Sequence, residues 1–229
     1  MPFDRLIDFE NLRDKKVLEI GVGHGSHALL LASHSAQFTG IDITNYAIES
    51  TRQRMSTFSI PNANIQQMNA EEMNFENASF DFVWSWGVIH HSANTPAILN
   101  EIHRVLKPNG TFTAMVYHRG YWNYYFTGLL IGIVKGNIFI SRSIHKIIQD
   151  HCDGAMARFY KPDEWKKELE MNGFEVKNIC VMGMKTELLP IPKSRFKSVL
   201  LRCIPDRLGR FFTNNMRMGS LLVSQVVRK

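Results

Sequence analysis

The sequence has few cysteines, and no secretory signal is expected. Its 229 residues include Cys152, Cys180 and Cys203, and no two of them form a C-x-x-C pair. Three scattered cysteines exclude a disulfide framework and a cysteine-based zinc site, and they favour a reducing compartment. No metal site is predicted. The first ten residues lack the apolar core of a signal peptide, so we expect a cytoplasmic protein.

A membrane-spanning run is also missing. The most apolar stretch, residues 120–134, carries no charge but is only 15 residues long, whereas a spanning helix needs ~20. No transmembrane segment is therefore expected. Hydrophobic residues make up 45% of the chain and charged residues 21%. These ordinary globular values exclude a disordered, collagen-like or coiled-coil protein.

Negative charge is scarce at the end of the sequence. Residues 1–192 contain 18 Lys and Arg and 20 Asp and Glu, whereas residues 193–229 contain nine basic residues and one acidic residue. Two interpretations of the basic segment, residues 193–217, stay open. It is a solvated surface, or it contacts an anionic partner such as a phospholipid surface, a phosphorylated substrate or nucleic acid.

Short apolar runs alternate with amphipathic segments over residues 17–117. Strands are expected at 17–21, 38–42, 64–68, 80–86 and 111–117, and helices at 26–35, 44–58 and 95–106. Ser26, Thr44 and Thr95 are the expected helix caps, and a turn is expected at 107–110. The alternation predicts an α/β fold in which helices cover both faces of a parallel sheet.

The alternation stops after the fifth strand. We interpret residues 1–118 as a cofactor-binding core, residues 119–160 as an inserted cap that forms the substrate region, and residues 161–229 as the completion of the sheet. This last part is expected to hold a helix over 161–171 and strands over 174–182 and 221–227. The apolar stretch of the cap packs against the sheet or a homodimer partner, or it forms a hydrophobic substrate pocket or an interfacial element.

A glycine-rich turn follows the first strand. The segment Glu19-Ile20-Gly21-Val22-Gly23-His24-Gly25 stands between a strand and a helix. Because glycine has no Cβ, a ligand can approach the backbone there, and we expect it to meet free N–H groups and the positive end of a helix dipole. The third glycine stands at 25 rather than 26, which disfavours a dinucleotide and favours a ligand with a small or cationic tail.

Polar residues end the next two strands. Asp42 follows the second strand, where it accepts both hydroxyls of a ribose or caps the following helix. Asn69, Ala70 and Glu71 follow the third strand, at a place suited to contact with the edge of an adenine ring.

Together these segments resemble the class I S-adenosylmethionine-dependent methyltransferases. E-I-G-V-G-H-G, T-G-I-D-I-T, N-A-E-E-M-N-F-E-N-A-S-F-D-F-V-W-S and H-R-V-L-K-P-N-G-T-F are similar, in this order, to motifs of the group that contains the ubiquinone and menaquinone biosynthesis methyltransferases. The resemblance covers residues 15–118. It implies a Rossmann-like, mostly parallel sheet of seven strands whose last strand is antiparallel. It also implies S-adenosylmethionine as cofactor and S-adenosylhomocysteine as product.

The resemblance further implies which residues bind the cofactor: Glu19, Gly21, Gly23, Gly25, Asp42, Ile43, Asn69, Ala70, Glu71, Ser85 and Trp86. The resemblance places Glu19 near the methionine amino group and Asp42 at the ribose. Ser85 and Trp86 face the methionine portion. Asn69 stands where the group usually has an aspartate. Its Oδ1 can still accept a hydrogen bond from the adenine amino group.

Histidines near the strand ends are candidate bases. Methyl transfer needs a base only when the nucleophile arrives protonated. His90 and His91 follow the fourth strand, whose end borders the substrate in this fold, and each is either a base or a structural residue. We favour His91 as the base, and His118 is a third candidate.

The acceptor is expected to contact residues at the start and end of the cap: Tyr117, His118, Tyr121, Arg158 and Tyr160. Asp153-Gly154 followed by Arg158 and Tyr160 is similar to a pattern in some small-molecule methyltransferases. The alternative is a surface ion pair and a core tyrosine. The segment 84–87, Trp-Ser-Trp-Gly, stands where methyltransferases of exocyclic amines carry Asn- or Asp-Pro-Pro-aromatic, so adenine amino groups and glutamine amides are not expected targets.

The sequence thus predicts a methyltransferase that acts on O, N or C of a small, apolar or lipid-linked molecule. One alternative is a macromolecular methyltransferase that holds RNA or protein through the basic segment, although no RNA-binding module is visible and nucleic acid is not the expected partner. The other is a non-catalytic binding protein on the same fold. Peripheral contact with an anionic surface or membrane, and a homodimer, stay open as further interpretations.

Overall fold

A computed structural model describes residues 6–134, 136, 143–150, 152, 156–192 and 194–229. Of the residues singled out above, Asp153, Gly154 and Lys193 lie outside this description, and the predicted cap is described in part.

In the described part of the chain, eight strands form one sheet: β1 Lys16–Ile20, β2 Gln37–Asp42, β3 Ala63–Gln67, β4 Phe80–Trp86, β5 Leu106–His118, β6 Phe159–Tyr160, β7 Phe174–Met182 and β8 Leu221–Arg228. Their order is β3-β2-β1-β4-β5-β8-β7, and the short β6 pairs with β5. The pairs β1–β2, β1–β4, β2–β3 and β4–β5 are parallel. The prediction of a Rossmann-like, mostly parallel sheet is confirmed, with β6 as an additional short strand.

The strands are connected by α1 Ser26–Ala32, α2 Asn45–Thr57, α3 Thr95–Val105, α4 Thr127–Val134, α5 Ile144–Gln149, α6 Pro162–Met171, α7 Arg195–Cys203 and α8 Asp206–Arg210. Short 3₁₀ turns cover Glu10–Leu12, Ile89–His91 and Lys185–Leu188. Residues Tyr121–Phe126 and Phe211–Asn215 form π-helical turns.

The helix caps differ in part from those predicted. Thr44 caps α2 as expected, because its side chain accepts a hydrogen bond from the N–H of Ala47. The predicted cap at Thr95 is wrong: Asn94 caps α3 by accepting from the N–H of Ala97 at 3.2 Å. The predicted cap at Ser26 is also wrong, since Ser26 is the first residue of α1 and the capping position is glycine.

Two element boundaries differ as well. Helix α1 ends at Ala32 rather than at residue 35, and β5 begins at Leu106, directly after α3. The turn predicted at 107–110 lies within the bounds of β5, where Asn109 has a φ of 62°. Asparagine tolerates this left-handed conformation better than most residues do.

The chain divides into two compact units, and β5 runs through both. The first unit contains the residues up to Met115, Lys166–Asn178 and Ser224–Lys229, whereas the second contains Val116–Trp165 and Ile179–Val223. The ranges of the second unit therefore include both the predicted cap and the basic segment. Within the described ranges, no helix is both long and apolar enough to cross a bilayer.

The core of the first unit lies around the central strands. Val17, Leu18 and Ile20 of β1 are all buried, as expected for a parallel strand that is covered on both faces. Helix α3 adds one apolar face, formed by Ile98, Leu99, Ile102 and Val105.

In the second unit, α4 and α5 pack closely. A Cβ at Gly128 would lie 2.7 Å from Cδ1 of Ile148, so a larger residue there would require this side chain to shift. Tyr124 contributes a buried ring, and its hydroxyl lies 2.8 Å from Nδ1 of His145.

Candidate functional site

A cavity of about 390 Å³ opens in the first unit at the carboxyl ends of parallel strands. This is where open α/β sheets bind ligands. It is lined by Ile20, Gly21, Ile41, Asp42, Ile43, Met68, Asn69, Ala70, Glu71, Val88, His91, Ser92, Ala93 and Ile98. The lining is mostly apolar with a few polar groups, as small-molecule sites are.

The glycine loop after β1 borders this cavity. Gly21, Gly23 and Gly25 have φ values of 82°, 51° and 75°, which favour glycine. A Cβ on Gly21 would lie only 2.1 Å from Cγ2 of Val88, whereas a Cβ on Gly23 would meet no atom within 4 Å. Gly21 is therefore required by both backbone conformation and space, and Gly23 by conformation alone.

The N–H groups of this loop are already bonded within the protein. Gly21 and Val22 donate to the carbonyl oxygen of Ile41, at 2.7 and 3.3 Å, and Gly25 donates to that of Val22 at 2.8 Å. Gly23 donates to the carboxylate of Asp42 at 3.2 Å. The prediction that the loop presents free N–H groups is wrong for these residues, because the loop folds onto the end of β2.

Asp42 holds the loop and still has capacity for a ligand. Its Oδ1 accepts hydrogen bonds from the backbone N–H and the hydroxyl of Thr44, both at 2.9 Å, and its Oδ2 accepts the one from Gly23. A carboxylate offers about four acceptor sites. One site remains on Oδ2, so the side chain can accept one further hydrogen bond rather than two.

Glu19 is a buried carboxyl group near the end of β1. Its side chain is 1% exposed, and Oε2 has no hydrogen-bond partner among the residues that the structure describes. Burial raises the pKa of Glu19 well above its ordinary value of 4.5, and the negative charge of Asp42 raises it further. A buried carboxyl group with an unused oxygen suits a cationic or donor group of a ligand.

The segment after β3 is tied to the turn after β4. Oδ1 of Asn69 accepts a hydrogen bond from the N–H of Glu71 at 3.0 Å. Oε1 of Glu71 accepts from the hydroxyl of Ser92 at 2.6 Å and from the N–H of Asn94 at 3.3 Å. These contacts fix two walls of the cavity relative to each other.

The two neighbouring histidines differ in environment. His91 lines the cavity, whereas His90 is fully buried. Burial, together with the charge of His91, lowers the pKa of His90 to about 3, so this imidazole is neutral at pH 7.

Several predicted cofactor residues lie outside the cavity lining. Glu19 is buried near the end of β1, Gly23 and Gly25 belong to the glycine loop, and the buried hydroxyl of Ser85 donates to the carbonyl oxygen of Ile20 at 3.2 Å. The ring of Trp86 stacks on that of Trp84, with centroids 5.1 Å apart.

Sequence reasoning missed Val88, Ser92 and Ala93, which belong to the turn after β4 and line the cavity. The available signal was Gly87, whose φ of 78° marks the point where the chain turns away from β4.

A second cavity, of about 400 Å³, lies within the second unit. It is lined by Tyr117, His118, Asn123, Tyr124, Thr127, Gly128, Ile131, Ile148, Cys152, Phe159, Met184, Glu187 and Ser220. Of the five predicted acceptor residues, Tyr117 and His118 belong to this lining. The other three do not: Tyr121 and Arg158 are exposed, and the ring of Tyr160 packs 5.0 Å from that of Trp165.

His118 has a defined protonation state in this cavity. Its Nδ1 lies 2.8 Å from the carbonyl oxygen of Gly219, an acceptor, so Nδ1 carries a proton. Burial lowers the pKa of His118, and the positive charge of Arg217 lowers it further. The hydrogen bond to Gly219 acts in the opposite direction, but the pKa remains below its ordinary value. The imidazole is therefore neutral at pH 7, which leaves Nε2 able to accept a proton.

Glu187 holds the rim of the same cavity. Its Oε1 accepts from the N–H of Met184 at 2.9 Å. Its Oε2 accepts from the N–H of Ser220 at 2.8 Å and from the side-chain amide of Asn123 at 3.1 Å. The carboxylate thus joins three segments of the second unit.

A comparison with known protein families finds a match for part of the first unit. Residues 18–114 match the family model described as a methyltransferase domain, and this segment includes the glycine loop, Asp42 and Glu71. Residues 18–114 carry a domain of the class I S-adenosylmethionine-dependent methyltransferases. In this family S-adenosylmethionine is the methyl donor and S-adenosylhomocysteine the product.

Curated relatives match this chain over the same domain. A phthiotriol/phenolphthiotriol dimycocerosates methyltransferase of Mycobacterium leprae is 35% identical over 102 residues, which cover 44% of this chain and 37% of the relative. An S-adenosyl-L-methionine-dependent Diels-Alderase of Talaromyces variabilis is 32% identical over 110 residues, which cover 45% of this chain and 37% of the relative. The chain thus matches well under half the length of these relatives.

Solved structures share the fold over nearly the whole chain. The YcgJ protein of Bacillus subtilis superposes with a TM-score of 0.62 and 17% identity, covering 96% of each chain. The [4+2]-cyclase SpnF superposes with a TM-score of 0.64 and 17% identity, covering 98% of this chain and 80% of the cyclase. At this identity the likeness concerns the fold alone.

The residues of this site fit S-adenosylmethionine. The cavity at the strand ends has the size of a small-molecule site, Asp42 retains one acceptor position, and Glu19 offers a buried oxygen that no described residue bonds.

Proposed function

We propose that this chain transfers the methyl group of S-adenosylmethionine to O, N or C of a small, apolar or lipid-linked molecule. The observation that carries the proposal is the cavity of the first unit, built by residues of the matched methyltransferase domain. The mycobacterial relative, whose name refers to phthiotriol dimycocerosates, supports a lipid-linked acceptor.

The cofactor supplies an electrophilic methyl group, and the protein supplies orientation and exclusion of water. Glu19 would bind the amino group of the methionine portion, since its buried Oε2 has no partner among the described residues. Asp42 would accept one ribose hydroxyl at Oδ2. Ile43, Met68 and Ala70 would pack against the adenine ring of the cofactor.

We further propose that the cavity of the second unit holds the acceptor. Ile131, Ile148 and Phe159 give it an apolar lining, as an apolar acceptor requires. His118 would receive a proton at Nε2 when the nucleophile arrives protonated. His91 remains an alternative base, and we place it second because it lines the cavity of the first unit.

An apolar acceptor resides in membranes, so we also propose peripheral contact of the chain with a membrane surface. The homodimer stays a prediction.

A second candidate function follows from the names of two similar proteins. Both the Diels-Alderase of Talaromyces variabilis and the cyclase SpnF are named for ring formation. A protein of this fold that binds the cofactor can therefore catalyse cyclisation in place of methyl transfer.

A methyl-transfer assay separates these functions. The purified chain is incubated with methyl-labelled S-adenosylmethionine and host-cell extract, which is then divided into organic-soluble, small aqueous, RNA and protein fractions. We expect label in the organic-soluble fraction. Label in RNA or protein would contradict a small acceptor. Binding of S-adenosylhomocysteine without label in any fraction would favour cyclisation or a non-catalytic role.

Replacing Asp42 by alanine is expected to weaken S-adenosylhomocysteine binding about tenfold, because one hydrogen bond to a charged group is lost. Isothermal titration calorimetry measures the affinity. Glu72→Ala is the matched control, since Glu72 is exposed and does not line the cavity. Unchanged affinity in Asp42→Ala would contradict the ribose assignment.

Filling the second cavity is expected to affect the acceptor alone. Ile131→Trp should raise KM for the labelled acceptor about fivefold, which is ~1 kcal/mol of binding free energy, and leave cofactor affinity unchanged. Ile133 is two residues further along α4, 56% exposed and outside the described lining. If Ile133→Trp raised KM equally, the cavity would not be the acceptor site.

A further inference from the structure

Helix α7 turns its apolar side chains towards solvent. Phe196 and Val199 are 67% and 57% exposed, and Leu200 and Cys203 are exposed as well. The spacing of these four residues places them on one face of the helix. No residue in the described part of the chain buries this face.

The opposite face of α7 is mostly polar and faces the protein. Ser194, Lys197, Ser198 and Leu201 line a groove within the second unit. Ser194 caps the helix by accepting from the N–H of Lys197 at 3.1 Å. A surface helix of a globular protein normally buries its apolar face, so the polarity of α7 is reversed.

Unpaired positive charge surrounds the apolar face. Residues 194–217 contain six Lys and Arg and one acidic residue, Asp206, which forms a salt bridge with Lys185 at 3.0 Å. Arg195, Arg202 and Arg207 are exposed, and none of them forms a salt bridge with a described residue. Exposed apolar side chains flanked by arginine are typical of a helix that lies in the interface of an anionic bilayer.

Exposed apolar residues are concentrated in the same unit. Among the described residues, fifteen of the nineteen large hydrophobic side chains that are exposed belong to the second unit, including Leu208 and Phe211 next to α7. A nucleic acid would pair with the cations but would leave Val199 and Leu200 in water. A two-fold dimer through this face would set its arginines against one another.

We propose that α7 binds an anionic phospholipid bilayer, with Phe196, Val199 and Leu200 inserted among the lipids and Arg195 and Arg202 at the headgroups. The proposal builds on the peripheral membrane contact proposed above and does not require methyl transfer. It assigns the helix a role in bringing the chain to the phase in which an apolar acceptor is dissolved.

Vesicle sedimentation with the full chain tests the proposal. We expect binding to vesicles of equal parts phosphatidylcholine and phosphatidylserine, and little binding to phosphatidylcholine alone. Phe196→Ser/Val199→Ser should weaken partitioning at least about tenfold, because two exposed apolar side chains no longer enter the bilayer. Arg195→Gln/Arg202→Gln should weaken it about tenfold at low salt and reduce its salt dependence.

The controls are matched in exposure and lie in the first unit. Phe58 and Met171 are 57% and 73% exposed, so Phe58→Ser/Met171→Ser should bind vesicles as the unaltered chain does. Lys166→Gln/Lys167→Gln removes two positive charges from the first unit and is the control for Arg195→Gln/Arg202→Gln. It should also bind vesicles as the unaltered chain does. S-adenosylhomocysteine titration should give the same affinity for all four variants, so a failure of the proposed cofactor site is seen separately.

Three results would overturn the proposal. The first is equal vesicle binding by the unaltered chain and by Phe196→Ser/Val199→Ser. The second is a dimer in light scattering that this variant converts to a monomer, which would make the face a contact between copies. The third is binding to single-stranded RNA but not to anionic vesicles.

Discussion

Replacing Gly21 by alanine is expected to lower the affinity for S-adenosylhomocysteine by about a hundredfold or more. The new Cβ would lie 2.1 Å from Cγ2 of Val88, so Val88 must move, and Val88 lines the cofactor cavity. The left-handed backbone at Gly21 adds strain. Together these effects should lower the free energy of unfolding by about 2–4 kcal/mol.

Gly23→Ala is the control for backbone strain. Its φ is also positive, but a Cβ there meets no atom within 4 Å. Its free energy of unfolding should therefore fall by only about 1 kcal/mol. Urea denaturation compares the two variants, and equal losses would show that strain, rather than the contact with Val88, sets the requirement at position 21.

A double variant tests the contact itself. Val88→Ala removes both methyl groups of Val88, including Cγ2 at 2.1 Å from the Cβ at position 21, and leaves its own Cβ at 3.0 Å, so Gly21→Ala/Val88→Ala should recover part of the lost affinity. If the double variant binds no better than Gly21→Ala, the loop, rather than the displaced Val88, accounts for the loss.

Glu19→Gln is expected to weaken S-adenosylhomocysteine binding by about 10- to 100-fold. Glutamine keeps the size of the side chain but removes its charge, and a hydrogen bond to a charged group contributes about 1.5–3 kcal/mol. In the unaltered chain the affinity should rise with pH as Glu19 loses its proton, whereas in the variant this dependence should disappear. Calorimetry at several pH values measures both effects.

The same substitution should stabilise the protein in the absence of ligand. The pKa of Glu19 is higher in the folded state than its ordinary value of 4.5, so the folded state binds more protons than the unfolded state between these two values. Stability is therefore lost as pH rises through this window, and Glu19→Gln escapes that loss. If the unfolding free energies of the two proteins changed in parallel with pH, the raised pKa of Glu19 in the folded state would be contradicted.

Local patterns in the sequence predict the β-α-β order and the position of the glycine loop. Buried parallel strands appear in the sequence as continuous apolar runs. The cap at Thr44 is also predictable, because the hydrogen bond that forms it joins residues only three positions apart. The cap at Asn94 was missed because Thr95, an equally good capping residue, follows it directly, and only the backbone conformation separates the two.

Contacts between distant residues could not be predicted. The N–H groups of Gly21 and Gly23 are occupied by Ile41 and Asp42, about twenty residues away, and no local signal reveals this. Likewise, the buried oxygen of Glu19 and the partners of Glu187 depend on tertiary packing. The reversed polarity of α7 could not be read from its amphipathic pattern either, because periodicity does not say which face meets the protein.

The first unit is assembled from three separate pieces of chain, and the last of them is synthesised more than a hundred residues after the first is complete. The side-chain amide of Gln225 donates to the carbonyl oxygen of Leu6, and Arg228 donates to that of Leu106. A ribosome must therefore produce all of residues 116–223 before these bonds can form. During that interval the edge of β5 that β8 will cover is open, and nascent chains with unpaired strand edges are prone to aggregate. Slow translation of the second unit should consequently increase the demand for chaperones.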